Sequence, residues 1–204
     1  GTDAQKRALL PSVASGNSIL TAALVEEGSR DPLAPATRAR REGAGWKLDG
    51  AKAYVPVASL ASHILVPACT DDGKTCVFLV ERTAAGVLLE AQGTTTGELE
   101  YRLKLGGVTL ADSAKLGDGK RDAEMLPWMI ARTIAGLCAT ELGVADRALR
   151  MTAAYTASRK QFGKPIATFQ AVAQRAADAY IDLEAMRLST TQAIWRLASG
   201  LDAS

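Results

Sequence analysis

The stretch Arg159-Lys160-Gln161-Phe162-Gly163-Lys164-Pro165-Ile166-Ala167-Thr168-Phe169-Gln170-Ala171-Val172 decides how this chain is read, because it separates two long helical patterns. Upstream of it, Ile130, Ile134, Leu137, Leu142, Ala145 and Leu149 recur at three to five residues and keep to one face. Asp122 is a candidate N-cap for that helix. Gly163-Lys164-Pro165 breaks the pattern. Downstream, Phe169, Val172, Ala176, Tyr180 and Leu183 form a second stripe that Ile194 and Leu197 continue, with Thr168 as its cap. Each helix can bury one stripe against the other. Their remaining apolar positions then need partners, from other chains or from parts outside this stretch.

Towards the front the texture changes. From about Asn17 to Leu116 short apolar runs recur, at Ile64-Leu65-Val66, Val77-Phe78-Leu79-Val80 and Val87-Leu88-Leu89. Turn signals lie between them, at Asp49-Gly50, Asp71-Asp72-Gly73 and Gly106-Gly107. Trp46-Lys47-Leu48 and Ala53-Tyr54-Val55 flank Asp49-Gly50, which reads as a hairpin. Ala53 to Thr70 is free of charge for 18 residues, nominally enough to span a bilayer. Pro56, Pro67, Ser59, Ser62 and His63 interrupt it, so two short buried strands joined by a turn are expected instead. Lys6 to Ser15 reads as the end of a helix and a turn. The fold class is α+β: an antiparallel β-barrel or sandwich, then long antiparallel α-helices of an incomplete helical bundle.

Composition removes several function classes. The 204 residues are 48% hydrophobic, which excludes disorder. With 24 Lys and Arg against 22 Asp and Glu, no basic footprint for nucleic acid exists. Cys69, Cys76 and Cys138 are odd in number and scattered, arguing against a disulfide scaffold or zinc site. His63 is the sole histidine, so a catalytic triad or a His-based metal site has little support. No signal-peptide core follows the first residues. A cytoplasmic protein with reduced thiols and no membrane span is expected.

The segment from Arg159 to Val172 closely resembles the signature of the acyl-CoA dehydrogenase family. The opening, Gly1 to Lys6 through Leu10-Pro11 to Ser15-Gly16, resembles it too. Leu24-Val25-Glu26-Glu27-Gly28 and Leu48-Asp49-Gly50-Ala51-Lys52 sit between in the family's order. The resemblance implies the end of an N-terminal helical region over 1–16, a middle β-barrel over 17–118 and the first part of a C-terminal bundle over 119–204. It also implies FAD, an acyl-CoA substrate dehydrogenated to the 2,3-enoyl-CoA, and a homo- or hetero-oligomer, dimer or tetramer. Electrons would pass to an electron-transfer flavoprotein. The alternative is a non-catalytic partner subunit of a heteromeric dehydrogenase, which lends FAD contacts but lacks the base.

Read from the residues alone, Arg159, Phe162 and Gln170 are a surface arginine, a core aromatic and a helix-start amide. The resemblance makes them cofactor ligands: Arg159 on the FAD of a neighbouring subunit, Phe162 against adenine, Gln170 on the cofactor. A guanidinium fork suits a diphosphate. By the same resemblance, Leu24, Val25, Gly28 and Ser29 form the loop that holds flavin and diphosphate. Here Ser29-Arg30-Asp31-Pro32 replaces the family's more glycine-rich form. Tyr54 and Val55 fall where many members place Trp-Ile beside the flavin. Pro56 follows, with neither N–H nor hydroxyl to donate. Arg132 is a candidate contact for flavin or acyl-CoA, with a snorkelling or ion-paired arginine as the other reading. No metal ligand is expected. The catalytic base stays unassigned: Ala131-Arg132-Thr133 carries no carboxylate, Glu141 lies about 12 Å further along the helix, and Glu124 lies too early.

Overall fold

Apolar residues that alternate along strands put one face of a sheet into a core, and seven strands here share one such face. They are β1 (Leu20–Ala22), β2 (Arg38–Glu42), β3 (Gly45–Pro56), β4 (His63–Thr70), β5 (Thr75–Glu81), β6 (Val87–Gln92) and β7 (Glu100–Ala111). In this computed structural model, which describes residues 1–29 and 31–203, they form a curled sheet in the order β1-β4-β2-β3-β7-β6, with β5 on the other edge of β4. Most pairings are antiparallel, but β1 and β2 both run parallel to β4. That differs from the all-antiparallel reading, because the parallel register depends on long-range pairings that strand patterning does not reveal. Leu48, Val55, Ile64, Val66, Phe78, Val80, Leu103 and Val108 fill the core. Trp46 meets Phe78 edge to face at 5.3 Å.

Two expected turns instead meet at one bulge between two long strands. Asp49-Gly50 lies within β3 and Gly106-Gly107 within β7. The pairings Leu48↔Val108 and Gly50↔Leu105 leave one extra residue on β7. The Asp49 carboxylate accepts the Gly107 N–H at 2.8 Å, so the two signals meet across one ladder. The hairpin between β2 and β3 turns at Gly43 and Ala44, where Glu42 pairs with Gly45. A Cβ on Gly50 would lie 2.7 Å from Thr37 Oγ1 and 2.9 Å from its Cα, and Gly50 has φ +154. Close backbone approach, rather than chain reversal, requires glycine there. Ala53 to Thr70 is the end of β3, a turn and β4, as read.

Helix α1 (Asp3–Ala14) begins at a capping box between Thr2 and Gln5, so Lys6–Ser15 is the body and end of a capped helix. Gln5 also donates to the carbonyls of Ser113 and Lys115, which ties α1 to the end of the sheet. Helix α2 (Asp122–Ser158) starts at Asp122, but that carboxylate pairs with Lys115 at 2.6 Å and accepts from the Cys76 thiol. Burial and the Asp122 charge push the Cys76 thiol up to about 11. The chain divides into two compact units, Gly1–Ile130 and Ala131–Ser204.

The second unit contains the rest of α2, a two-stranded ribbon of β8 (Lys160–Gln161) and β9 (Lys164–Pro165), and α3 (Gln170–Ala198). Phe169 occupies the N-cap position of α3, whereas the Thr168 hydroxyl donates to the Pro165 carbonyl. The expected Thr168 cap is therefore spent on a preceding single turn, Ile166–Thr168. Leu142, Ala145 and Leu149 are half-buried and Leu183 is buried, as the stripes require. Ile134, Leu137, Tyr180 and Ile194 belong to the same expected stripes but are exposed, so each stripe is buried only in part. Asp146 on α2 binds Arg187 on α3 at 3.0 Å and Arg150 at 2.7 Å.

Candidate functional site

The second unit presents Arg159, Phe162 and Gln170 to solvent. Arg159 directly follows α2, where its N–H donates to the Tyr155 carbonyl and its own carbonyl accepts from Ile166. Those two bonds fix its backbone, and among the described residues no acid pairs with its guanidinium. Phe162 and Gly163 are the two central residues of the β8–β9 turn, with φ of 51° and 79°. Positive φ at both positions is the twist that a two-residue hairpin requires. Gly163 meets it without strain, whereas an aromatic residue in that region is uncommon. Phe162 is also 92% exposed, touching the Phe169 ring edge-on at 6.2 Å. Lys164 stands 4.6 Å over that same ring.

The first unit carries the other predicted cofactor residues, while Arg132 lies on the α2 part of the second unit. Val25 bridges to Ala53, whose N–H donates to the Val25 carbonyl at 2.9 Å. This brings the loop of Leu24, Val25, Gly28 and Ser29 onto β3 beside Tyr54. The register steps from Lys52↔Leu103 to Val55↔Tyr101, so Ala53 and Tyr54 together oppose Arg102. That bulge gives Tyr54 a φ of 51° and leaves it 53% exposed, with its N–H on the Gln92 side chain. Val57 has a φ of 45°, a true outlier for a β-branched residue. Strain brackets the segment. Val55 points the opposite way and its side chain is fully buried in the core. Parity along β3 explains the difference: neighbours across a pleat face opposite sides.

Two residues that the sequence reading left unassigned organise this region. Lys52 is wholly buried and pairs with Glu26 at 2.7 Å. Glu26 Oε1 also accepts from the Thr37 hydroxyl and N–H, and Oε2 from the Ala36 N–H. Burial pushes the Glu26 carboxyl up, but the donors from Lys52, Thr37 and Ala36 outweigh it and hold it at about 2. Burial lowers Lys52, against the pull of Glu26. The signal was present: a lysine inside the strand run Ala51-Lys52-Ala53-Tyr54-Val55 needs a buried counter-charge. Next to Glu26, Glu27 pairs with Arg102 across the bulge.

The two sets differ in how well they suit a dinucleotide. The hairpin and the residue before it offer an arginine with no acidic partner among the described residues and an exposed aromatic face, which fit an anionic diphosphate and an adenine respectively. The 24–29 loop offers less to an anion. Ser29 uses its N–H on the Glu26 carbonyl and its hydroxyl on the Asp31 carbonyl, and the Glu27 carboxylate already occupies Arg102. Arg30, part of the expected loop, lies outside the described residues. Arg132 is exposed on α2. Glu141 is exposed too, and Glu124 pairs with Arg121. Among the described residues no group of acids, histidines or cysteines could hold a metal. Among them also, no helix is long and apolar enough to cross a membrane.

A curled sheet followed by two long helices, joined through an arginine-bearing hairpin, has counterparts among known flavoenzymes. Residues 127–203 match the family described as acyl-CoA dehydrogenase, C-terminal domain. The acyl-CoA dehydrogenase FadE27 of Mycobacterium tuberculosis (strain ATCC 25618 / H37Rv) is 38% identical over 187 residues, covering 92% of this chain and 48% of that protein. The ChsE4–ChsE5 complex from Mycobacterium tuberculosis aligns with a TM-score of 0.81 at 39% identity, over 92% of this chain and 49% of the other. A glutaryl-CoA dehydrogenase from Mycobacterium smegmatis in complex with FADH2 aligns with a TM-score of 0.86 at 29% identity, over 99% and 53%. The chain belongs to the acyl-CoA dehydrogenase family. It spans about half the length of the curated relatives it matches.

Proposed function

We propose that this chain is part of an acyl-CoA dehydrogenase subunit that holds FAD jointly with a neighbouring subunit. The observation that carries this reading is the β8–β9 turn, where an exposed Phe162 in a strained conformation stands close in sequence to Arg159, which has no acidic partner among the described residues. Strain and lost burial at one residue both oppose folding, and such outliers concentrate where a ligand uses them. Arg159 would pair with the diphosphate, Phe162 would face the adenine and Gln170 would hydrogen-bond the cofactor. Tyr54 and the 24–29 loop would border the flavin end. FAD, when bound, would supply the redox chemistry, accepting a hydride at N5 as an acyl-CoA becomes a 2,3-enoyl-CoA. The protein's share is to hold the thioester against the ring, with a carboxylate to take the Cα proton. An electron-transfer flavoprotein is the proposed electron acceptor.

A second reading, a partner subunit without its own base, draws on two features. Residues 131–133 offer no carboxylate, and Glu27 stands in the loop where an anion would rest. The heteromeric ChsE4–ChsE5 relative supports the same possibility. Purified full-length protein separates the readings through bound flavin absorbance and acyl-CoA oxidation. A yellow, active preparation supports the first. A colourless one that gains both on mixing with an unlike subunit supports the second. In either case Arg159→Ala in the assembled enzyme should lower flavin content per subunit. Unchanged flavin retention would refute the shared-cofactor reading.

A further inference from the structure

We infer that the buried Lys52–Glu26 pair is a positioning latch that holds the 24–29 loop against the bulge displaying Tyr54. Three observations place it there. Lys52 immediately precedes the bulged residues Ala53 and Tyr54 on β3. Glu26 immediately follows Val25, whose carbonyl accepts the Ala53 N–H. The ion pair, with no exposed surface on the lysine and 7% on the glutamate, therefore closes the same few residues that the Val25–Ala53 bridge joins.

Glu26 does more than neutralise Lys52. Its two oxygens take four donors, from Lys52, from Ala36 and twice from Thr37, so the loop, the start of β2 and the edge of the bulge meet on one carboxylate. A saturated carboxylate of this kind has one rotamer available to it, and the loop inherits that rigidity. Glu27 and Arg102 add a second, solvent-exposed tie on the far side of the bulge. Exposed pairs contribute little, so the buried pair governs the geometry. With 0% and 7% of their side chains exposed, Lys52 and Glu26 offer a ligand almost no surface. They act through Tyr54 and the loop.

The latch itself stands on the contacts described here, while its bearing on a cofactor rests on the proposed function. The full-length protein carrying Lys52→Met with Glu26→Gln removes both charges together, so neither is left buried without its counter-charge. Amide hydrogen exchange is the readout. Exchange at Ala53 and Thr37 should quicken by about tenfold or more, while Ile64 and Val80 in β4 and β5 keep wild-type protection. Glu27→Gln should leave all four unchanged. Equal acceleration at all four positions in the double variant, or none at Ala53 and Thr37, would overturn the latch. The visible spectrum of bound flavin in the assembled enzyme is the second measurement. A shifted spectrum alongside local acceleration supports both ideas. Local acceleration with an unshifted spectrum supports the latch and counts against the 24–29 loop and Tyr54 as the flavin border.

Discussion

Glu26 shows how much one carboxylate can be asked to hold. Its folded pKa near 2 lies below the ordinary carboxyl value of 4.5, because four donors favour the charged form more than burial opposes it. Between those two pH values the unfolded chain binds the extra proton. Stability from Glu26 is thus complete above about 4.5 and falls as the pH drops toward 2. Glu26→Gln should flatten the acid limb of a stability-versus-pH curve for the full-length protein. At neutral pH the same variant leaves Lys52 buried and unpaired, which should cost about 3–5 kcal/mol in urea denaturation. Cys76 offers a second residue-scale test. With its thiol held at about 11, it stays protonated at neutral pH. Alkylation followed by mass spectrometry should modify the half-buried Cys69 and Cys138 first.

Among the elements, the β3–β7 ladder and the β8–β9 ribbon define what can be displayed. Each bulge in the ladder shifts the inward phase by one residue, from Leu105 to Val108 on β7 and from Lys52 to Val55 on β3. The second shift turns Tyr54 outward and Val55 inward. Gly50→Ala should destabilise the protein by more than about 1 kcal/mol, because its new methyl meets the Thr37 backbone. Thermal unfolding measures it. In the ribbon, Phe162→Asn should raise stability, since asparagine accepts positive φ more readily and exposes no ring. The same change should lower flavin retention in the assembled enzyme. Stability rising as binding falls would identify the turn as strained for a purpose.

Across the whole molecule, the two units carry different proportions of buried surface. The sheet unit contains the contiguous core, whereas in the second unit Leu137, Val144, Ile181 and Leu188 are all more than half exposed. Apolar area of that extent on paired helices marks a surface that other protein covers. The 204-residue chain alone should therefore self-associate, with a concentration-dependent sedimentation profile and strong binding of a hydrophobic dye. A monodisperse, dye-silent monomer would count against covered helix faces. Periodicity and short motifs are local properties of the chain, so the residues alone carry the two textures, the break between two helices within Arg159–Val172 and the family resemblance; the hairpin at that break came from the fold. The sequence could not distinguish a turn from a bulge at Asp49-Gly50 or Gly106-Gly107, because glycine serves both and only the facing strand decides. That Val55 is core and that Lys52 meets Glu26 follows only from the folded sheet, because both depend on register between segments far apart in sequence. A charge placed in an apolar strand announces that it needs a partner. Which residue answers is settled only when the sheet curls.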